Sequence, residues 1–375
     1  MVVEDSRETL AAAAGCHPSE VIFTSGGTEA DNLAVKGLYW SRRGADPART
    51  RILCSPIEHH AVLDTVQWLE KHEGASVGWL PVDRDGVVPL EAIRAELEAH
   101  AETTALLTVM WANNEVGTVQ DIAAITALAH SYGVPVHSDA VQAFGALPVN
   151  FRAAGLDTMA ISGHKIGGPV GVGALLVGRA VKLTPVMHGG GQERDIRSGT
   201  LDTPGIAAFA AAAREVTENL AAEAARLRSL RGKLIAGVER KIPDAVLCGP
   251  RDDDGAGGGK TAGGMPRRLP GNAHFTFPGC EGDSLLFLLD LAGVESSTGS
   301  ACTAGVPRPS HVLLAMGLSE TQARGAQRFS LGHTTTEQDV DTLLAVLPEA
   351  YERAKKAGMA SHVSSIQTAG TGFTS

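Results

Sequence analysis

The feature that most constrains this chain is a rhythm in its first two hundred residues, where short apolar runs alternate with stretches of helical period. Runs at 21–24, 51–54, 105–110, 134–137, 158–161 and 172–177 have the length and apolar character of buried strands. Helical patterns such as 29–40 and 121–132 lie between them. Strands that alternate with helices predict an α/β layer structure around a mostly parallel sheet. Near Pro204 the texture changes. Residues 206–241 are rich in Ala, Leu, Glu and Arg and predict one long helix, or two, ending before Pro243. A strand at 273–277 and helices at 284–291, 309–316 and 337–356 then predict a smaller α+β domain.

A chain of 375 residues can bury a core large enough for two domains. Its formal charge of −10 opposes a broad nucleic-acid surface, and no apolar run is long enough to span a bilayer. Residues 1–10 carry Glu4, Asp5, Arg7 and Glu8 and show no signal-peptide core, so a cytoplasmic protein is expected. The cysteines (Cys16, Cys54, Cys248, Cys280, Cys302) include no CxxC pair, so no metal site is expected, and reduced thiols leave one available as a nucleophile. Two segments read as irregular: the Asp- and Gly-rich insertion 251–270, expected to be flexible, and the polar tail 360–375, expected to be disordered.

Six segments carry possible chemistry. In SGHKIGGP, Lys165 follows a strand and sits among glycines that let a ligand approach the backbone. A lysine shielded from water can form a Schiff base, whereas an exposed one is a surface charge. In VHSDAVQ, Asp139 stands just past a strand. There it can hold a ring nitrogen protonated or cap the next helix. Ser25-Gly26-Gly27-Thr28 places glycines between strand and helix, which makes either a phosphate site or an N-cap turn with Thr28 capping. In STGSACTAG, small residues surround Cys302, as suits an accessible thiol and equally an adventitious cysteine. Glu58-His59-His60 offers a ring to stack on a planar cofactor or to shuttle protons. Arg328, in RFSLG, can grip a carboxylate bidentately or form an ordinary ion pair.

In combination, the segments FTSGGTEADNLAVKG, EHHAVLDT, WANNEVGT, HSDAVQAFG, SGHKIGGPVGVGALL, GGGQERDIRSGT, STGSACTAG and RFSLGHTTT resemble the cysteine desulfurases of the NifS/IscS type, group I. These belong to the class-V aminotransferases within the fold-type I pyridoxal 5′-phosphate (PLP) enzymes, and the resemblance spans about 19–348. It implies a three-layer α/β/α PLP domain over 1–218 and a small domain over 219–375. It implies PLP held by Lys165, with Asp139 on the pyridinium nitrogen, Gln142 on the ring hydroxyl and His59, rather than His60, stacked on the ring. Asn114 would lie near ring and substrate. Gly27, Thr28, Ser162 and His164 would hold the phosphate, completed by Thr200 from a second subunit of a homodimer. Arg328 would clamp the carboxylate of L-cysteine. Cys302 would take its sulfur as a persulfide, release L-alanine, and pass the sulfur to a protein acceptor such as an iron–sulfur scaffold or a thiolation protein. The family's usual opening segment, of the form YLDHAATTP, has no counterpart here, an absence expected to lower activity or hinder folding. The alternatives are a selenocysteine or C–S lyase on the same fold, which would not need Cys302, and a non-catalytic scaffold, which would not need Lys165, Asp139, Cys302 and Arg328 together.

Overall fold

A computed structural model describes residues 1–251, 261, 264–299 and 309–368; Cys302 and most of the glycine-rich insertion lie outside the described residues. The chain divides into two compact units. One comprises Met1–Asn114, Thr118–Ala222 and Arg251–Leu269, the other Glu115–Gly117, Glu223–Pro250 and Pro270–Ser375.

In the first unit the strands are β1 (Val21–Thr24), β2 (Arg51–Cys54), β3 (Ser76–Trp79), β4 (Thr104–Thr108), β5 (Val136–Asp139), β6 (Thr158–Ser162) and β7 (Gly173–Val177), and the sheet order is β1-β7-β6-β5-β4-β2-β3. Only β7 runs against its neighbours. The helices are α1 (Val2–Ala14), α2 (Gly27–Ala45), α3 (His60–Glu73), α4 (Leu90–His100) and α5 (Ile122–Ser131), followed by α6 (Thr203–Lys241), a single helix that continues into the second unit.

Alternation along the central strands explains the layering. Met159 and Ile161 of β6, with Ala174 and Leu176 of β7, face a core shared with Leu10 of α1, Ile93 of α4, Ile125 of α5 and Phe209 of α6. The intervening Ala160, Leu175 and Val177 face Ala30, Leu33 and Ala34 of α2. Successive strand residues point to opposite faces, so apolar residues at every position require helices on both sides. The result is the expected three-layer α/β/α sandwich. Among the described residues no helix is long and apolar enough to cross a membrane.

The second unit has a three-stranded antiparallel sheet, ordered β10-β9-β8, from β8 (Val246–Leu247), β9 (Asn272–Thr276) and β10 (Ala326–Ser330). Its helices are α7 (Gly282–Leu291), α8 (His311–Ala315), α9 (Glu320–Arg324) and α10 (Glu337–Thr368). Phe275, Phe277 and Phe329 pack with Leu285 and Leu289 of α7 and Leu343, Leu347 and Tyr351 of α10.

Residues 360–368 of the tail continue α10, in a stretch without Gly or Pro to stop a helix, while 369–375 lie outside the described residues. The end of the insertion packs in the first unit. Arg268 is 1% exposed and bridges to Thr118, the Arg267 carbonyl accepts from Val119 N–H, and the Arg267 guanidinium pairs with Asp85.

Candidate active site

Strands β1 and β6 both run antiparallel to β7, and β2, β4, β5 and β6 run parallel to one another. These five strands, with β3, therefore point the same way. The segments leaving their carboxyl ends carry Gly27 and Thr28 (after β1), His59 (β2), Asn114 (β4), Asp139 and Gln142 (β5), and Ser162, His164 and Lys165 (β6). Nine of the residues singled out from sequence thus follow one edge of the sheet, the edge at which open α/β sheets bind ligands.

The glycine turn is built for close approach. Gly26 has φ 150°, and α2 starts at Gly27 with no side-chain cap, so Thr28, exposed in the first turn, is not the cap. The first N–H groups of a helix have no partner within it and favour an anion. A Cβ at Gly27 would lie 2.8 Å from Val141 Cγ2 and 3.8 Å from Ser162 Cβ, so this turn, the Asp139 turn and the end of β6 meet here. Ser162 Oγ and His164 Nδ1 are hydrogen-bonded at 2.8 Å. Burial, helped by the Lys165 charge, lowers the pKa of His164 and favours its neutral ring. Lys165 is exposed in the 3₁₀ turn Gly163–Ile166 directly after β6.

Asp139 ends β5 and is 4% exposed. A turn follows it, not a helix, so the capping alternative is not realised; Oδ1 instead accepts from Val141 N–H at 2.8 Å. Burial, with the nearby Asp31 carboxyl, pushes Asp139 up to about 7, against the Val141 hydrogen bond and the His59 and His137 rings. Beneath it lies a pair that sequence reasoning missed. His137 Nε2 is 3.2 Å from Asp31 Oδ1, and His137 Nδ1 is 3.0 Å from Thr158 Oγ1. Burial raises Asp31 well above its usual value and lowers His137 to about 4. A lone aspartate amid Ala30, Leu33, Ala34 and Val35 on the apolar face of α2 was the available signal.

His59 is the N-cap of α3. Its Nδ1 accepts from Ala61 N–H at 3.1 Å, which leaves the proton of a neutral ring on Nε2. His60 pairs with Asp64 at the surface. Gln142 and Asn114 are half-buried. Thr200 is exposed and is not brought into contact with the others in one chain, but its loop is fastened beside the turn: Arg197 Nε donates to Glu29 at 2.7 Å. Burial acts to raise the Glu29 carboxyl, yet the hydrogen bonds from Arg197 and Ser25 hold it below its usual range. In the second unit Arg328 lies on β10 opposite His274. No cluster of metal-ligating side chains occurs among the described residues.

This donor set fits PLP. A glycine-started helix suits its phosphate, a buried carboxyl held near neutrality suits a ring N–H cation, and a lysine one strand away suits its aldehyde. The class-V aminotransferase family, whose members are PLP-dependent, matches residues 1–343. An IscS-like cysteine desulfurase of Mycobacterium tuberculosis is 56% identical over 358 residues, covering 96% of this chain and 88% of its own. A NifS-like protein of known structure superposes with a TM-score of 0.81 at 35% identity, covering 93% of this chain and 86% of its own. The structure described as SspA in complex with cysteine superposes with a TM-score of 0.70 at 33% identity, covering 88% and 86%. The chain belongs to the class-V aminotransferase family and, within it, to the cysteine desulfurases of the NifS/IscS type.

Proposed function

We propose that this protein converts L-cysteine to L-alanine with PLP and carries the released sulfur as a persulfide on Cys302. The observation that carries the reading is the arrival of Gly27, Asp139, Ser162 and Lys165 at one sheet edge, with Gly27 packed on the Asp139 turn and on Ser162. When bound, PLP supplies an electron sink for charge that develops on the substrate carbon. Lys165 holds the cofactor and moves protons at the substrate carbons. Asp139 keeps the ring nitrogen protonated, and Gln142 donates to the ring hydroxyl. Gly27, Thr28, Ser162 and His164 bind the phosphate. The His59 ring covers the cofactor and offers its Nε2 proton, with Asn114 beside it. Arg328 binds the substrate carboxylate. The Cys302 thiolate takes the substrate sulfur: the carbon–sulfur bond breaks, a sulfur–sulfur bond forms, and the bonding pair left on carbon takes a proton to give alanine.

The cysteine-bound relative supports L-cysteine as substrate. A protein acceptor of the iron–sulfur scaffold or thiolation type would relieve Cys302 of its sulfur. A cytoplasmic setting belongs to the same proposal, because the thiol has to be regenerated reduced after each transfer. So does a homodimer, in which the exposed Thr200 completes the partner's phosphate site.

The test is to incubate the purified protein with L-cysteine and reductant, measure alanine and sulfide, and record the visible spectrum beside Cys302→Ala. The expected result is a yellow parent that forms alanine and a yellow variant that forms none. A colourless, inactive parent would favour the non-catalytic scaffold. Equal alanine from both proteins would favour a lyase that does not use Cys302.

A further inference from the structure

Helix α2 begins with the turn proposed to hold the phosphate, and β5 ends with the carboxyl proposed to hold the ring nitrogen. The two elements meet through one polar pair in a largely apolar interface. The buried neighbours of Asp31 on α2 include Ala30, Leu33, Ala34 and Val35, and Ala160, Leu175 and Val177 of the sheet face the helix. Asp31 is 1% exposed and His137 is 0% exposed. The His137 ring lies between Asp31 and Thr158, with Nε2 3.2 Å from Asp31 Oδ1 and Nδ1 3.0 Å from Thr158 Oγ1. One imidazole thus ties together α2, β5 and β6, the elements whose ends carry Gly27, Asp139 and Ser162.

Such a pair is a poor source of stability. Both partners lose their water, and apolar residues of similar volume usually serve at least as well. What it supplies is register. Small apolar side chains let a helix slide along a sheet, whereas a slip at Asp31 would strand a buried carboxyl and a buried imidazole together. The register matters because of where the contacts fall. Asp31 lies one helical turn, about 6 Å, from Gly27. Gly27 abuts Val141, two residues after Asp139, and Asp31 meets His137, two residues before it. His137 and Asp139 share one face of β5, and their partners across the β5–β6 ladder are Thr158 and Ala160. The contacts between α2 and β5 therefore bracket Asp139.

We propose that Asp31 and His137 are positioning residues for the cofactor: their bond sets the register of α2 on β5 and with it the spacing between the phosphate-binding turn and Asp139. The proposal rests on the PLP reading of the site and deepens it.

The test uses the full-length, PLP-free protein and three ligands. Pyridoxine 5′-phosphate spans both ends of the site, while pyridoxine and inorganic phosphate each reach one. None carries an aldehyde for Lys165, so binding is read without turnover. A ligand that engages both ends gains from their fixed spacing, and a ligand that engages one does not. Asp31→Leu combined with His137→Leu removes the pair without stranding either member, and its melting temperature is expected to equal or exceed the parent's. Its Kd for pyridoxine 5′-phosphate should rise about 10-fold or more, with changes under about threefold for pyridoxine and for phosphate. Asp31→Asn keeps a hydrogen bond to the ring and should stay within about threefold of the parent for all three ligands. Unchanged binding of pyridoxine 5′-phosphate by the double variant would overturn the assignment. So would equal weakening of all three ligands, which signals general damage, or an Asn variant as weak as the double variant, which would make the carboxyl and not the bond decisive. If the double variant does not fold, Thr158→Val decides: weaker pyridoxine 5′-phosphate at unchanged pyridoxine and phosphate sustains the assignment, and no change overturns it. A parent that binds pyridoxine 5′-phosphate no better than pyridoxine would refute the PLP reading itself, and this inference with it.

Discussion

Replacing Asp139 with asparagine is expected to slow alanine formation about a thousandfold while leaving the PLP-free protein at least as stable as the parent above neutral pH. The two effects have one cause. Asp139 is 4% exposed, and burial raises its carboxyl to about 7. In the unfolded chain the same group titrates near 3.9, so between roughly pH 4 and 7 the folded state holds more protons than the unfolded state. Stability from this group is therefore greatest at the acidic end of that window, falls as pH rises through it, and is lowest once the buried carboxyl has to ionise. Asparagine keeps an oxygen for Val141 N–H and never ionises. The melting temperature of Asp139→Asn relative to the parent, both without PLP, should climb from pH 4 to pH 8. With PLP bound the sign reverses, since a ring N–H cation favours the carboxylate and the amide deprives that cation of its counter-charge. A rate within tenfold of the parent would remove Asp139 from the ring nitrogen. A PLP-free variant that melts below the parent at pH 8 would show that its carboxyl is stabilised, not strained, by its surroundings.

The strands that sequence revealed are the ones buried on both faces. Val21–Thr24, Thr158–Ser162 and Gly173–Val177 are apolar at nearly every position, so no phase had to be guessed. The strands it missed carry mixed signals. Ser76–Trp79 is an edge strand, buried at one position of four and interrupted by Gly78. Ala326–Ser330 mixes Gln327, Arg328 and Ser330 with Ala326 and Phe329, and Arg328 drew attention as a charge and not as part of a strand. Helix α1 was passed over because Glu4, Asp5 and Arg7 marked its segment as a polar terminus, although Leu10, Ala11 and Ala14 bury its other face.

The site was legible to the same degree. Residues proposed to touch a cofactor sit in turns after apolar strands, and the strands announce them. Residues that hold others in place leave no such mark. Asp31 and His137 are 106 positions apart in the chain, and Glu115 and Ser310 are 195 apart. No local spacing encodes such pairs; only the tertiary fold brings them together. Cys302 is the opposite case: STGSACTAG draws attention to its thiol, while its position lies outside the described residues.

Arg7→Ala is expected to destabilise the protein by about 3–5 kcal/mol, the usual cost of leaving a buried charge without its partner. Arg7 donates from Nη1 to Glu193 Oε2 at 2.8 Å and to the Val21 carbonyl at 2.7 Å, and from Nη2 to Glu193 Oε1 at 2.8 Å. Its guanidinium carbon lies 4.7 Å from the Phe23 ring centroid. Burial disfavours the Arg7 charge, but hydrogen bonds to Glu193 and Glu4 outweigh it and leave the pKa raised. The Glu193 side chain is only 2% exposed, and Oε2 also accepts from Phe23 N–H at 2.8 Å. Glu193 opens three consecutive residues in the left-handed region, with φ of 47°, 58° and 61°, a conformation that costs side-chain-bearing residues and persists only where contacts impose it. That turn leads into Arg197 and Thr200. Loss of Arg7 should therefore loosen the loop that is proposed to reach a partner subunit, and dimer affinity should fall along with stability. The double substitution Arg7→Ala with Glu193→Gln distinguishes causes. If the cost comes from an uncompensated carboxylate, removing that charge recovers part of the loss in chemical denaturation. A double variant no more stable than Arg7→Ala would assign the cost instead to lost packing on Phe23 and the bond to Val21.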